Sequence, residues 1–162
     1  MIATIVGEGY QEKHYSETLE NSFSTYDKAK WHYEADDFPN ELDYVQGFVH
    51  TGMFLWWLIE KGLMSEEFNE DFEEEIQQCQ GQQLTGAEVL QRMDGILTIE
   101  DVSKEGNAFS VYYYHNQYLE DYSNTLCEDL PSAYHVEDSK ENYLKIKAVI
   151  DQRYKDWKQS KE

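Results

Sequence analysis

Small or apolar residues return at alternating spacings of three and four along Glu41–Met64, where Leu42, Val45, Val49, Gly52, Trp56, Ile59 and Leu63 form one helical stripe. Phe48, Phe54, Leu55, Trp57 and Leu58 widen that stripe until the second half is apolar nearly all round. A helix of this kind has to be covered on several sides, so the pattern predicts the central helix of the fold. Asn40, followed by Glu41 and Asp43, is the expected N-cap, and Gly62 the expected exit.

The flanking patterns predict further helices. Upstream, Ser24 and Asp27 resemble the cap of a short helix that puts Tyr26, Lys30 and Tyr33 on one face, beside Trp31, and ends at Phe38-Pro39. Downstream, Ser65 opens a helix to Gln80 with a narrow stripe of Phe68, Phe72, Ile76 and Cys79. Thr85 and Glu88 have capping-box spacing before Val89, Leu90 and Met93, and Asp94-Gly95 closes that helix. Thr98 begins a turn or two around Ile99 and Val102, with Glu105-Gly106-Asn107 as a break. A second long helix follows, with Ala108, Tyr112, His115, Leu119, Tyr122 and Leu126 as its stripe and Leu130-Pro131 as its end. Asp138 and Glu141 open the last one, where Tyr143 or Leu144, Ile146, Val149 or Ile150, Tyr154 and Trp157 oppose a lysine-rich face. The expected fold is all-α, an irregular bundle of about five or six helices around the central apolar one. Residues 24–162 are expected to form a single helical domain. Residues 1–23 are expected to be a peripheral N-terminal segment in which Ile2–Val6 is a short β-prone run without an evident partner.

Charge changes this picture more than size does. The 162 residues carry a formal charge of −20, and residues 1–137 hold 28 acidic against six basic side chains. Such a field repels nucleic acid and anionic membrane and attracts basic proteins. Cys79 and Cys127 lie far apart without metal or redox spacing, and read as two reduced thiols. MIATIV lacks the features of a secretory signal, and no span approaches the roughly 20 apolar residues of a membrane helix. A cytoplasmic protein is therefore expected.

Two patterns suggest a binding surface. Glu66, Glu67, Glu70, Asp71, Glu73, Glu74 and Glu75 repeat like charges four residues apart, which destabilises an isolated helix, and no lysine or arginine lies between Lys61 and Arg92. Such a face suits a basic partner; a solvated face, partly neutralised by lysines of the last helix, is the alternative. The second pattern is Tyr112-Tyr113-Tyr114. Successive helical residues point about 100° apart, so all three cannot face the core. The stripe puts Tyr112 inside, Tyr114 at its border with Tyr118, and Tyr113 outside among Asn116, Gln117, Glu120 and Asn124. An outward tyrosine suits protein binding, and cover by a further helix is the alternative.

Spacing offers little for catalysis. None of His14, His32, His50, His115 and His135 pairs with another in a metal-binding motif. His115 reads as a hydrogen-bonded core ring. His50, on the more polar side of the central helix, is where function on that helix is expected, and it can meet His32 in space. The GEG of Gly7–Gly9 is too short for a phosphate loop, and no carboxylate pair or nucleophile arrangement stands out.

The stretch YDKAKWHYEADDFPNELDYVQGFVHTGMFLWWLIEKGLMSEEF resembles a family of small acidic bacterial proteins described only as a domain of unknown function. GNAFSVYYYHNQYLEDY and LPSAYHVEDSKENYLKIKAVIDQRYKDWK extend the resemblance over nearly the whole chain after residue 24. It implies a compact helical bacterial protein and brings no catalytic residue with it. In size, acidity and exposed tyrosine the chain is also similar in class to immunity proteins that neutralise bacterial toxins.

The expected function is an acidic binding protein of immunity or antitoxin type that captures a basic toxin, a nuclease above all. Glu67, Glu70, Asp71, Glu74, Tyr113, Gln117 and Glu120 are the expected partner-binding residues, with no catalytic residue, cofactor or metal. A DNA-mimic inhibitor shares the acidity but needs carboxylates spaced along a backbone-like track. A metal-dependent enzyme would use carboxylates of the 66–75 helix with His50 or His32, although Glu73-Glu74-Glu75 cannot all point at one ion from one helix.

Overall fold

The computed structural model describes residues 24–162. The described residues begin with β1 (Thr25–Lys28), α1 (Ala29–Tyr33), a 3-10 turn (Tyr44–Phe48), α2 (Val49–Glu60), α3 (Glu66–Asp71), α4 (Glu73–Gln80) and α5 (Gly86–Arg92). It continues through β2 (Ile96–Thr98), a 3-10 turn (Ile99–Asp101), α6 (Lys104–Tyr113), a π turn (Tyr114–Tyr118), α7 (Leu119–Leu126), a 3-10 turn (Ala133–His135) and α8 (Lys140–Ser160). The fold is the expected irregular helical bundle with a small two-stranded sheet added. The β-prone run Ile2–Val6 lies outside the described residues.

α2 is the central element. Every residue from Val49 to Ile59 is buried, as an all-round apolar helix requires. Trp56 stacks on Tyr143 of α8, rings 4.0 Å apart and 1° from parallel, and Trp57 packs on Phe109 and Tyr154. Phe54 meets Tyr114 and Tyr118. On another side α2 and α5 touch backbone to backbone: a Cβ on Gly86 would lie 1.9 Å from the Gly52 carbonyl oxygen. The helix leaves at Gly62, whose φ of +70° is the left-handed conformation of a C-terminal glycine, and the Leu63 amide closes onto the Leu58 carbonyl at 2.9 Å. Its start is a correction. Asp43, not Asn40, caps, accepting from the Val45 amide at 3.1 Å, and a 3-10 turn precedes the α-helix.

Four other boundaries differ from the pattern. Thr25–Lys28 is a strand rather than a helix start, antiparallel to Ile96–Thr98 with Asp27 opposite Leu97. An irregularity between Thr25 and Asp27 lets consecutive Tyr26 and Asp27 both turn inward. The expected Ser65–Gln80 helix breaks at Phe72, where φ −121° and ψ 32° leave the helical range. That break gives α4 its own N-terminus, and Glu73, Glu74 and Glu75 occupy its positive end. Glu105-Gly106-Asn107 does not interrupt anything: Ser103 caps α6, and Asn107 ties α6 to the preceding turn by donating to the Ile99 and Val102 carbonyls. Ser139, one residue after Asp138, caps α8.

The tyrosine helix is inverted relative to expectation. Tyr112 is 57% exposed and Tyr113 1%. The π turn at Tyr114–Tyr118 inserts one residue per turn, so a 3.6-residue period extrapolated back from Tyr122 falls one position out of phase. The buried face runs through Phe109, Tyr113, Tyr114, Tyr118 and Tyr122 instead.

Candidate functional site

Three elements bring a polar cluster into the core. β1 carries Asp27, α1 carries His32 five residues on, and α2 contributes His50 and Thr51. Asp27, His32 and His50 are 0%, 1% and 3% exposed. His50 is therefore fully enclosed rather than on a polar side of the central helix, because β1, α1 and the tyrosine helix cover that side. Asp27 Oδ1 lies 2.7 Å from His32 Nε2 and also accepts from the Lys28 amide at 2.9 Å. Its Oδ2 accepts from Thr51 Oγ1 at 2.9 Å and from the Tyr114 hydroxyl at 2.7 Å. His32 Nδ1 is 2.9 Å from the Tyr134 hydroxyl, and the two imidazoles cross edge to face with centroids 4.3 Å apart. The Tyr118 hydroxyl donates to the His50 carbonyl at 2.6 Å.

One atom in this cluster is left over. His50 Nε2 is buried without a hydrogen bond, 3.5 Å from Asp27 Oδ2. Burial opposes ionisation of Asp27, but the charge and hydrogen bond of His32, helped by His50, outweigh it and hold the carboxyl well below its usual range. His50 is shifted down, first by burial and then by His32, against the attraction of Asp27, which keeps its ring neutral near pH 7. Tyr114 and Tyr118 are pushed well up by burial and by the Asp27 charge, and so act as hydroxyl donors. An anionic carboxylate between two imidazoles is a metal-ligating donor set.

The second feature is an exposed acidic ridge on α3 and α4. Glu66, Glu67, Glu70, Asp71, Glu73 and Glu74 are exposed, while Phe68 anchors the ridge to the core and stacks on Phe72 at 4.7 Å. Among the described residues, Glu75 is the one ridge carboxylate with a cation in ion-pair range, Arg92 at 3.9 Å.

Residues 25–136 match a family described as a domain of unknown function, DUF7832. The chain belongs to this family. No curated protein and no solved structure matches it. The DUF7832 match takes in β1 through the third 3-10 turn, including every residue of the buried cluster and the ridge. It stops short of α8, although Tyr143, Ile146, Ile150 and Trp157 of that helix lie in the same core.

Of the expected partner-binding residues in this DUF7832 chain, Glu67, Glu70, Asp71 and Glu74 share the ridge. Tyr113 does not reach the surface; its hydroxyl donates to Asp121 at 2.7 Å inside the fold. Gln117 is half-buried and donates to Glu120 and Asp121, so of Tyr113, Gln117 and Glu120 only Glu120 is exposed. Among the described residues no hydrogen bond or ion pair joins Gln117 or Glu120 to the ridge. Cys79 and Cys127 are free, and burial, aided by Glu60, pushes the Cys79 thiol up to about 12, an unreactive state. His115 is half-buried and bonds the Tyr26 carbonyl at 2.8 Å. Sequence reasoning missed Asp27 and Tyr134 as partners of His32, and Thr51 and Tyr114 as partners of Asp27, since β1 with α1, α2, the tyrosine helix and the third 3-10 turn are far apart along the chain. The one local signal was polar His50-Thr51 inside an apolar run.

Proposed function

We propose that the protein works by binding a basic protein partner on the acidic ridge of α3 and α4. The observation that supports this reading is the set of six exposed ridge carboxylates with no cation in ion-pair range. Four of the six basic residues of α8 pair elsewhere: Arg153 with Asp121 at 2.9 Å, Lys147 with Asp151 at 3.2 Å, Lys158 with Glu105 at 3.5 Å and Lys145 with Glu141 at 3.8 Å. The ridge is therefore not neutralised from within, and a cationic partner supplies the missing counter-charges. Exposed charges of this kind act mainly on the rate of encounter. An inhibitor of immunity or antitoxin type, covering the cleft of a basic nuclease, is the specific form we propose, with Glu67, Glu70, Asp71 and Glu74 as its charged contacts.

The test is charge reversal. The basic protein encoded beside this one, or captured with it from native cells, is titrated against the wild type and against Glu70→Lys/Asp71→Lys/Glu74→Lys. At low ionic strength the association rate should fall more than about tenfold in the variant, while the circular dichroism spectrum stays unchanged. An unchanged rate removes the ridge from the interface.

A further inference from the structure

We propose that Asp27, His32 and His50 bind one divalent transition-metal ion of borderline softness, with zinc as the type, through the Asp27 carboxylate and the Nε2 atoms of both histidines. The three donor atoms lie within 4.8 Å of one another. In a tetrahedral zinc site with bonds near 2.0–2.1 Å, donors sit roughly 3.3 Å apart. His50 Nε2 lies 3.5 Å from Asp27 Oδ2, close to that spacing, and the 2.7 Å hydrogen bond between His32 Nε2 and the other oxygen, Oδ1, has to open by roughly half an ångström. Two imidazoles and one carboxylate select a borderline ion over calcium or magnesium, which prefer all-oxygen shells.

The shell behind the donors is already assembled. The Tyr134 hydroxyl sits at Nδ1 of His32, the position where a ligating histidine needs an acceptor to fix its tautomer. Thr51 and Tyr114 hold the carboxylate through Oδ2. Without an ion, His50 Nε2 is a buried nitrogen with no hydrogen bond, an arrangement that costs stability and that a metal bond resolves. On binding, the His32 Nε2 proton moves to Nδ1, facing the Tyr134 hydroxyl, or to solvent where Nδ1 already carries one, and each Nε2 lone pair turns to the ion. Because the donors come from β1, α1 and α2, the ion cross-links three elements, and occupancy registers as stability.

The experiment uses the full chain, stripped with a chelator and dialysed. Zinc is titrated by calorimetry and melting temperature, and cobalt(II) by visible absorption. The wild type should take one ion per chain, gain about 5–10 °C at a free zinc concentration a hundredfold above Kd, and give the intense bands of four-coordinate cobalt. His50→Phe keeps the ring volume and deletes only the unpartnered nitrogen and its tautomer partner; it should lose at least a hundredfold in affinity along with the cobalt bands. Should that variant fail to fold, His32→Gln replaces it with the same expected loss. Glu70→Lys/Asp71→Lys/Glu74→Lys should bind zinc as the wild type does, which separates the core site from adventitious binding to surface carboxylates. The proposal is overturned by a wild type that takes up no stoichiometric ion, by a folded histidine variant that binds equally well, or by loss of binding in the ridge variant.

Discussion

The carboxylate of Asp121 accepts four hydrogen bonds: one from the Tyr113 hydroxyl, two from the Arg153 guanidinium at 2.9 Å each, and one from Gln117 at 3.1 Å. Burial alone would raise its pKa, but Arg153 first, then Tyr113 and Gln117, hold it below the ordinary carboxylate range. A carboxyl whose folded value lies below its unfolded one, about 3.9, lends its full stabilisation above that pH and loses it as pH falls through the folded value. Asp121→Asn should therefore cost about 2 kcal/mol near pH 7, a figure kept modest because Arg153 is 43% exposed and can be hydrated when left alone. The deficit relative to wild type should shrink in urea unfolding below about pH 3, and a deficit independent of pH would assign the loss to packing instead. This network also favours an inward Tyr113, whose hydroxyl meets a charged acceptor there.

Two glycines decide how the central elements meet. At the crossing of α2 and α5 the atom that a Gly86 side chain would strike is a backbone oxygen, which cannot swing aside, and a Cβ on Gly52 would lie 2.5 Å from the Ala87 backbone. Gly86→Ala should cost about 3 kcal/mol or more, read as a lowered urea midpoint or loss of soluble protein. Gly62→Ala is the matched control: its Cβ meets nothing within 4 Å, and only the positive φ is strained, so the expected cost is about 1 kcal/mol. Equal costs at the two sites would mean that the helices can separate slightly at little expense. Capping signals worked well at this scale, with Ser65 and the Thr85–Glu88 capping box standing where their spacing put them. They failed where a competing local geometry entered, at the Phe72 break and the π turn.

A formal charge of −20 works against the compact state of the whole molecule. Adding salt from about 20 to 200 mM should raise the melting temperature through screening. Glu70→Lys/Asp71→Lys/Glu74→Lys, which lowers the formal charge to −14, should melt no lower than wild type at low salt and depend less on it. A steeper salt dependence in the variant would show that the ridge is not a principal source of the repulsion.

Local pattern was enough to identify the central helix, most helix starts, the acidic ridge and the free thiols, because each depends on residues within a few positions of one another. Phase across the π turn was not available from it, since a single extra residue rotates everything beyond it and leaves no mark in composition. Nor was the pairing of Thr25–Lys28 with Ile96–Thr98, which joins segments some 70 residues apart. The cluster of Asp27, His32 and His50 belongs to the same class. Sequence placed His50 as the position to watch on the central helix and allowed it to meet His32. Only the tertiary structure sets both rings against a carboxylate from a strand, because burial, and with it the demand for partners, is a property of how the elements close over one another.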